Sequence, residues 1–176
     1  MEGLRPLVLE IQALAVPTKL SFPRRVGHGI NERRLQLLCA VIEKHLGLGI
    51  GEKDVFVNVA GGLKSQDPAL DLPVIAAIIS SSQKTQKTRS PGISENEKLG
   101  KPENNLRHSD FPVLRQSGSP SFPSVPIFCG EVGLLGEIRM VPGWPRRQKE
   151  VTRLGMGKLT GKPEIGHIRE LQKLLA

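Results

Sequence analysis

The segment Val55-Phe-Val-Asn-Val59 constrains the fold most. Valines at positions 55, 57 and 59 alternate with Phe56 and Asn58, so the strand is apolar on both sides and has to lie centrally, with neighbours to cover it. Gly61 and Gly62 end it. From Asp71 to about Ser82 the period changes: Leu72, Ile75, Ala76 and Ile79 mark a helix with Asp71 as its cap and Pro73 in the first turn, where proline is tolerated. A central strand followed by a buried helix calls for layers of helix and sheet. Upstream, Leu7, Leu9, Ile11, Ala13 and Ala15 oppose Glu10 and Gln12, which predicts a first strand over Pro6 to Val16. After the Pro17 turn, Phe22 to Gly29 reads as a short second strand with its basic residues outward. Asn31 is a suitable helix N-cap, Glu32 suits the positive end of the dipole, and Leu35, Leu38, Cys39, Ile42 and Leu46 recur at helical spacing. Leu37 and Val41 widen that stripe, and Gly47 and Gly49 stop the helix. Further on, Ile127 to Val132 and Leu135 to Met140 read as a hairpin turning at Gly133, Arg146 to Leu154 as a short basic helix, and Ile168 to Leu175 as a terminal helix.

Length and composition narrow the function. A chain of 176 residues suits one domain, and five Phe, one Trp and no Tyr make its core aliphatic. The formal net charge of +8 favours an anionic partner such as nucleic acid or an acidic surface. Cys39 and Cys129 lack the spacing of a disulfide scaffold or a zinc site and read as buried free thiols in a reducing compartment. The amino terminus passes straight into a strand pattern and no apolar run approaches about 18 residues, so neither a signal peptide nor a membrane span is expected, and the setting is cytoplasmic or an organelle matrix. Residues 83–126 carry seven Ser, six Pro and no hydrophobic periodicity, with seven basic against four acidic side chains; this segment is expected to be a disordered basic insertion.

The blocks Asp54 to Gly62, Asp67 to Ser80 and Gly130-Glu-Val-Gly-Leu-Leu-Gly136 resemble, in that order, the carboxy-terminal Lon-protease-like domain of the bacterial DNA repair protein RadA, also called Sms. Glu2 to Leu14, Asn31 to Leu48 and Arg147 to Gly155 extend the likeness. The resemblance implies a fold of the α/β class, an α+β two-layer sandwich of the Lon-protease-like, ribosomal-protein-like type with a mixed sheet and packed helices. Residues 1–82 and 127–155 would form that domain, and 156–176 a divergent tail with a short helix. In Met156 to Gly166 three glycines and a proline replace the strand with which the family closes its sheet, so a poor strand is expected there. The resemblance also implies a hexameric homo-oligomer, contact with single-stranded or branched DNA and with a recombinase filament, and a role in homologous recombination and branch migration. The chain needs no cofactor of its own: ATP and Mg would belong to an upstream ATPase and Zn to an upstream finger. Gly161-Lys162 is followed by Pro163 and preceded by Met156 at the place of the first glycine, so no phosphate-binding P-loop is present.

Lon-type proteolysis pairs a serine hydroxyl with a lysine amine. By the resemblance those positions hold Val74 and Pro145, neither of which can attack or ionise. Ser80, Ser81 and Ser82 sit at the far end of their helix and read as an exposed terminus, and Lys64 as a solvated loop residue. A Lon-related serine peptidase is the alternative function. His28, His45, His108 and His167 show no metal-binding spacing; His45 suits a helix end, and His28 follows Arg24 and Arg25 on a surface strand where it could touch phosphate. Arg24, Arg25, Arg33, Arg34, Arg146, Arg147 and Lys149 are the candidates for DNA phosphate, because a planar guanidinium gives charge-assisted bidentate bonds and helix starts add free amides. For each of them the competing role is a solvated face or a subunit contact. Trp144 is the lone aromatic considered for stacking, so base-specific single-strand recognition is not expected.

Overall fold

The computed structural model describes residues 5–87 and 126–175. The expected insertion lies outside them, apart from its ends at 83–87 and 126. Three strands make the main sheet: β1 (Ile11–Pro17), β2 (Arg25–His28) and β3 (Lys53–Val59), in the order β1-β3-β2. The strand whose pattern demanded cover on both sides is thus central, antiparallel to β1 and parallel to β2. A parallel pair needs a crossover, and α1 (Glu32–Leu46) supplies it between β2 and β3. Asn31 caps α1 by accepting the Arg34 amide at 3.1 Å, and Gly47 closes it at φ 60°, a left-handed conformation that glycine adopts without a Cβ penalty.

Val55, Val57 and Val59 face the helices together with Ala13 and Ala15. The small side chains on β1 let α2 (Asp71–Lys87) approach closely enough for Ser81 Oγ to accept the Ala15 amide at 3.0 Å. The expected exposed serine terminus is therefore part of the packed helix: α2 runs on to Lys87, and Ser82 is enclosed. The β1 ladder starts at Ile11 rather than Pro6, because β3 ends at Val59, opposite Ile11; Leu7 and Val8 are exposed. Strand β2 is likewise limited to the four residues in register with Val55 to Asn58. Leu37, placed on the buried stripe of α1, is exposed, whereas Val41 is buried.

Asp71 is not a cap. The turn Pro68–Leu70, capped by Asp67 Oδ1 on the Ala69 amide at 3.0 Å, leads directly into α2, so Asp71 is already helical and its carboxylate is turned elsewhere. The expected hairpin is shorter than its pattern. Its paired part is β5 (Glu131–Val132) with β6 (Ile138–Arg139), while β4 (Ile127–Phe128) pairs in parallel with β7 (Leu159–Thr160). Gly130 breaks the run: its N–H donates to Ala69 O and its carbonyl accepts the Leu72 amide, both at 3.1 Å, so its backbone serves α2 instead of a ladder. A side chain there would also meet Ile138 and Leu72 within 3.3 Å. Strand β7 falls in the segment expected to make a poor strand; two residues suffice because β4 offers only two. Helix α3 (Trp144–Arg153) begins at the Trp144-Pro145 pair rather than at Arg146, and α4 (Ile168–Leu175) stands where its pattern placed it.

Most buried side chains join one aliphatic cluster between the main sheet and α1, α2 and α4. A smaller one holds Ala69, Cys129, Val141, Val151 and Leu159, with Trp144 partly buried against it. Both cysteines are buried and free, as expected, and burial pushes the Cys39 thiol up to about 11 despite nearby Arg25. No helix among the described residues is long and apolar enough to cross a membrane. Ile42 is fully enclosed in the main cluster. Ile42→Ala is expected to lower stability by about 2–5 kcal/mol, read as a fall in the urea midpoint at unchanged slope.

Candidate functional site

Where α1, the loop before α2, and β5 meet, the surface opens into a cleft of about 340 Å³. Arg34 and Asp71 floor it, the loop Ser65 to Leu70 walls it, and Glu131 stands at its edge. Arg34 Nε donates to Asp71 Oδ1 at 2.9 Å, and its Nη2 donates both to Asp71 Oδ2 and, at 2.9 Å, to Val132 O. The Val132 amide in turn donates to Asp71 Oδ2 at 3.0 Å. One ion pair therefore joins α1, α2 and β5. The hydrogen bond to Asp71, opposed by desolvation, holds the Arg34 guanidinium above its ordinary pKa, so it stays charged. Ser65 Oγ accepts the Asp67 amide at 3.2 Å, and no lysine or histidine lines the cleft among the described residues.

Four of the seven cations proposed for phosphate are built into the fold. Besides Arg34, Arg147 Nη2 reaches Asp67 Oδ2 at 2.7 Å and its Nε reaches Pro142 O at 3.2 Å, which fixes α3 to the cleft wall. Burial raises the Asp67 carboxyl, but Arg147 and the Ala69 amide outweigh it and hold the pKa low. Arg25 donates to Ile50 O at 2.6 Å, Arg24 O at 3.0 Å and Lys53 O, tying β2 to the turn that leads into β3. Arg24 grips Asp54 with its amide at 2.8 Å, Nε at 3.1 Å and Nη2 at 2.8 Å, while its guanidinium carbon lies 5.6 Å from the Phe56 ring centroid. Arg33, Arg146 and Lys149 differ: they are exposed, and their side chains make no ion pair or hydrogen bond with a described residue. Arg33 neighbours Arg34 in the first turn of α1, and Arg146 neighbours Arg147 in the first turn of α3, so in each pair one guanidinium holds the fold and the next faces solvent.

Val74 is fully enclosed in the main core, and Pro145 is exposed at the second position of α3. Lys64 is exposed in its loop, as read. His28 lies on the outer sheet face opposite Asn58, which donates to Gln12 Oε1 at 3.3 Å. His45 and His167, far apart in sequence, meet edge to face with ring centroids 5.4 Å apart, and their Nε2 atoms lie 3.1 and 2.9 Å from the carbonyls of Leu134 and Leu135. Nothing in their spacing announced this clamp on the β5–β6 turn. No group of three His, Cys, Asp or Glu suited to a metal occurs among the described residues, and His108 lies outside them. Trp144 covers Gly161 within the smaller core, whereas Phe22 is 84% exposed. The free aromatic is thus not the one considered from sequence, since exposure depends on what folds over each ring.

Arg34→Ala is expected to cost about 1–3 kcal/mol, a range that allows for its partial exposure, because it leaves the enclosed Asp71 carboxylate short of donors. The Arg34→Ala, Asp71→Ala double variant should lose less than the sum of the single losses, which a denaturation cycle reads directly. The Asp54 carboxyl is held below its ordinary pKa, first by the Arg24 amide and then by the Arg24 guanidinium. A lowered folded pKa adds stability that is present above the unfolded value, about 4, and is lost as the pH falls below it. Asp54→Asn should therefore lower the melting temperature at pH 7 and flatten its decline between pH 5 and 3.

No protein-family model matches the chain. Curated relatives do. It is 36% identical to DNA repair protein RadA of Bacillus subtilis (strain 168) over 159 residues, covering 90% of this chain and 27% of the relative. The corresponding protein of Haemophilus influenzae is 37% identical over 154 residues, covering 88% and 26%. That of Rickettsia felis is 31% identical over 185 residues, covering 99% and 34%, so this match takes in the tail as well. The chain thus spans about a quarter to a third of the length of these relatives. In its sequence and its α/β architecture, the chain belongs to the RadA family and corresponds to the carboxy-terminal part of those proteins.

Proposed function

We propose that the chain is a noncatalytic Lon-like module of a RadA-type DNA repair protein, supporting ring assembly and sequence-independent DNA binding during homologous recombination and branch migration in the cytoplasm or an organelle matrix. The observation that carries the reading is similarity to proteins named DNA repair protein RadA over 90% and 99% of the chain. The three uncommitted cations support it from the side of chemistry: Arg33 and Arg146 each follow a helix start, where the positive end of the helix dipole adds to the attraction for phosphate. The enclosure of Val74 favours the noncatalytic reading, because a side chain sealed in the aliphatic core is out of reach of a substrate. ATP hydrolysis, with its Mg, and the zinc finger would belong to the longer protein, and a recombinase filament would be a partner of the assembled ring.

The purified chain should elute as an oligomer and retain single-stranded or branched DNA at low salt; a monomer that retains neither would remove both roles. Replacing Arg33, Arg146 and Lys149 together by Ala should weaken binding to all sequences alike. If all three contact single-stranded phosphate, the slope of log affinity against log salt should shrink in magnitude by about 2. The peptidase alternative predicts sustained casein cleavage, lost in Lys64→Ala or Ser80→Ala; the present reading expects none.

A further inference from the structure

We propose that the loop joining β1 to β2 is a wedge whose Phe22 stacks on an unpaired nucleic-acid base while Lys19 and Arg24 contact the flanking phosphates. This rests on the DNA-binding reading above and adds a base contact to it, on residues other than Arg33, Arg146 and Lys149.

The loop is held at both ends and open at its tip. At its start the Thr18 amide donates to Glu52 O at 3.0 Å, and Thr18 Oγ1 accepts the Leu20 amide at 3.1 Å. At its end the threefold grip of Arg24 on Asp54 fixes the chain, and Pro23 restricts the backbone just before it. Between these anchors Phe22 has the highest exposure of any large hydrophobic side chain described, 84%, and Leu20 is 53% exposed. An aromatic ring so presented has a free face, and every base offers a complementary one whatever its identity. The flanking charges have the sign that a polyanion requires. Lys19 is exposed with no partner among the described residues. Arg24 keeps a 58% exposed side chain whose Nε and Nη2 are committed to Asp54, leaving Nη1 for a phosphate oxygen.

A protein partner fits this loop less well. Two apolar side chains present roughly 200–300 Å², well short of the roughly 800 Å² per side that a stable protein interface covers. A single stacked base needs no more than one ring.

The test uses the full chain with a single-stranded oligonucleotide carrying one 2-aminopurine, a blunt duplex of equal length, and vesicles containing phosphatidylserine. Wild type should bind the single strand and change the 2-aminopurine fluorescence. Phe22→Ala should lower single-strand affinity about 5- to 100-fold and abolish the fluorescence change. Its duplex affinity and thermal melting should stay unchanged, and Phe22→Trp should restore both single-strand signals. If Phe22→Ala binds the single strand as wild type does while the Arg33, Arg146 and Lys149 variant is weakened, the wedge is wrong and the phosphate reading stands. Wild type that binds no DNA at low salt overturns both. Vesicle binding lost in Phe22→Ala, with single-strand affinity intact, overturns the wedge in favour of a lipid surface.

Discussion

The ion pair between Arg34 and Asp71 is the joint on which the arrangement depends. It forms where the first turns of two helices and the start of a hairpin converge, and through Val132 it includes both the amide and the carbonyl of one strand residue. Enclosing a carboxylate is costly unless its oxygens are filled, and here two donor groups fill them. The cleft, the position of the 65–70 loop and the attachment of β5 all follow from that. A second pair, Asp67 with Arg147, repeats the arrangement one step outward and brings α3 against the same loop.

These pairs change the meaning of the basic composition. Although the chain carries +8, Arg34 and Arg147 are struts whose charge is matched on the spot. The field available to an anion comes from side chains without such partners and from the exposed part of Arg24. In both Arg33-Arg34 and Arg146-Arg147, successive residues on a helix point about 100° apart, so one can serve the interior and the next the exterior. Adjacent like residues thus divide between holding the fold and meeting a partner.

Periodicity made much of the architecture legible. The valines of β3 gave away a central strand, and Asn31 and Gly47 marked the ends of α1 closely, because these signals are local. What stayed hidden was set by distant partners. Asp71 looks like a cap from its neighbours, but the preceding turn and Arg34, 37 residues away, decide its role. Gly130 interrupts an apolar run because Ala69 and Leu72 claim its backbone, and Ser81 reaches the Ala15 amide because alanines on β1 make room for it. For the site, sequence picked out residue types suited to phosphate, but not which arginines had carboxylates waiting for them. Nor could it tell that Trp144 would be covered and Phe22 left bare.

The hydroxyl of Ser81 occupies an outward amide of β1, an edge strand of the main sheet. A strand that would otherwise invite another chain to lengthen the ladder is blunted there by a neighbouring helix. At Ala15 that edge therefore ends in a side-chain oxygen of the same molecule, and one rung of any added ladder is already taken.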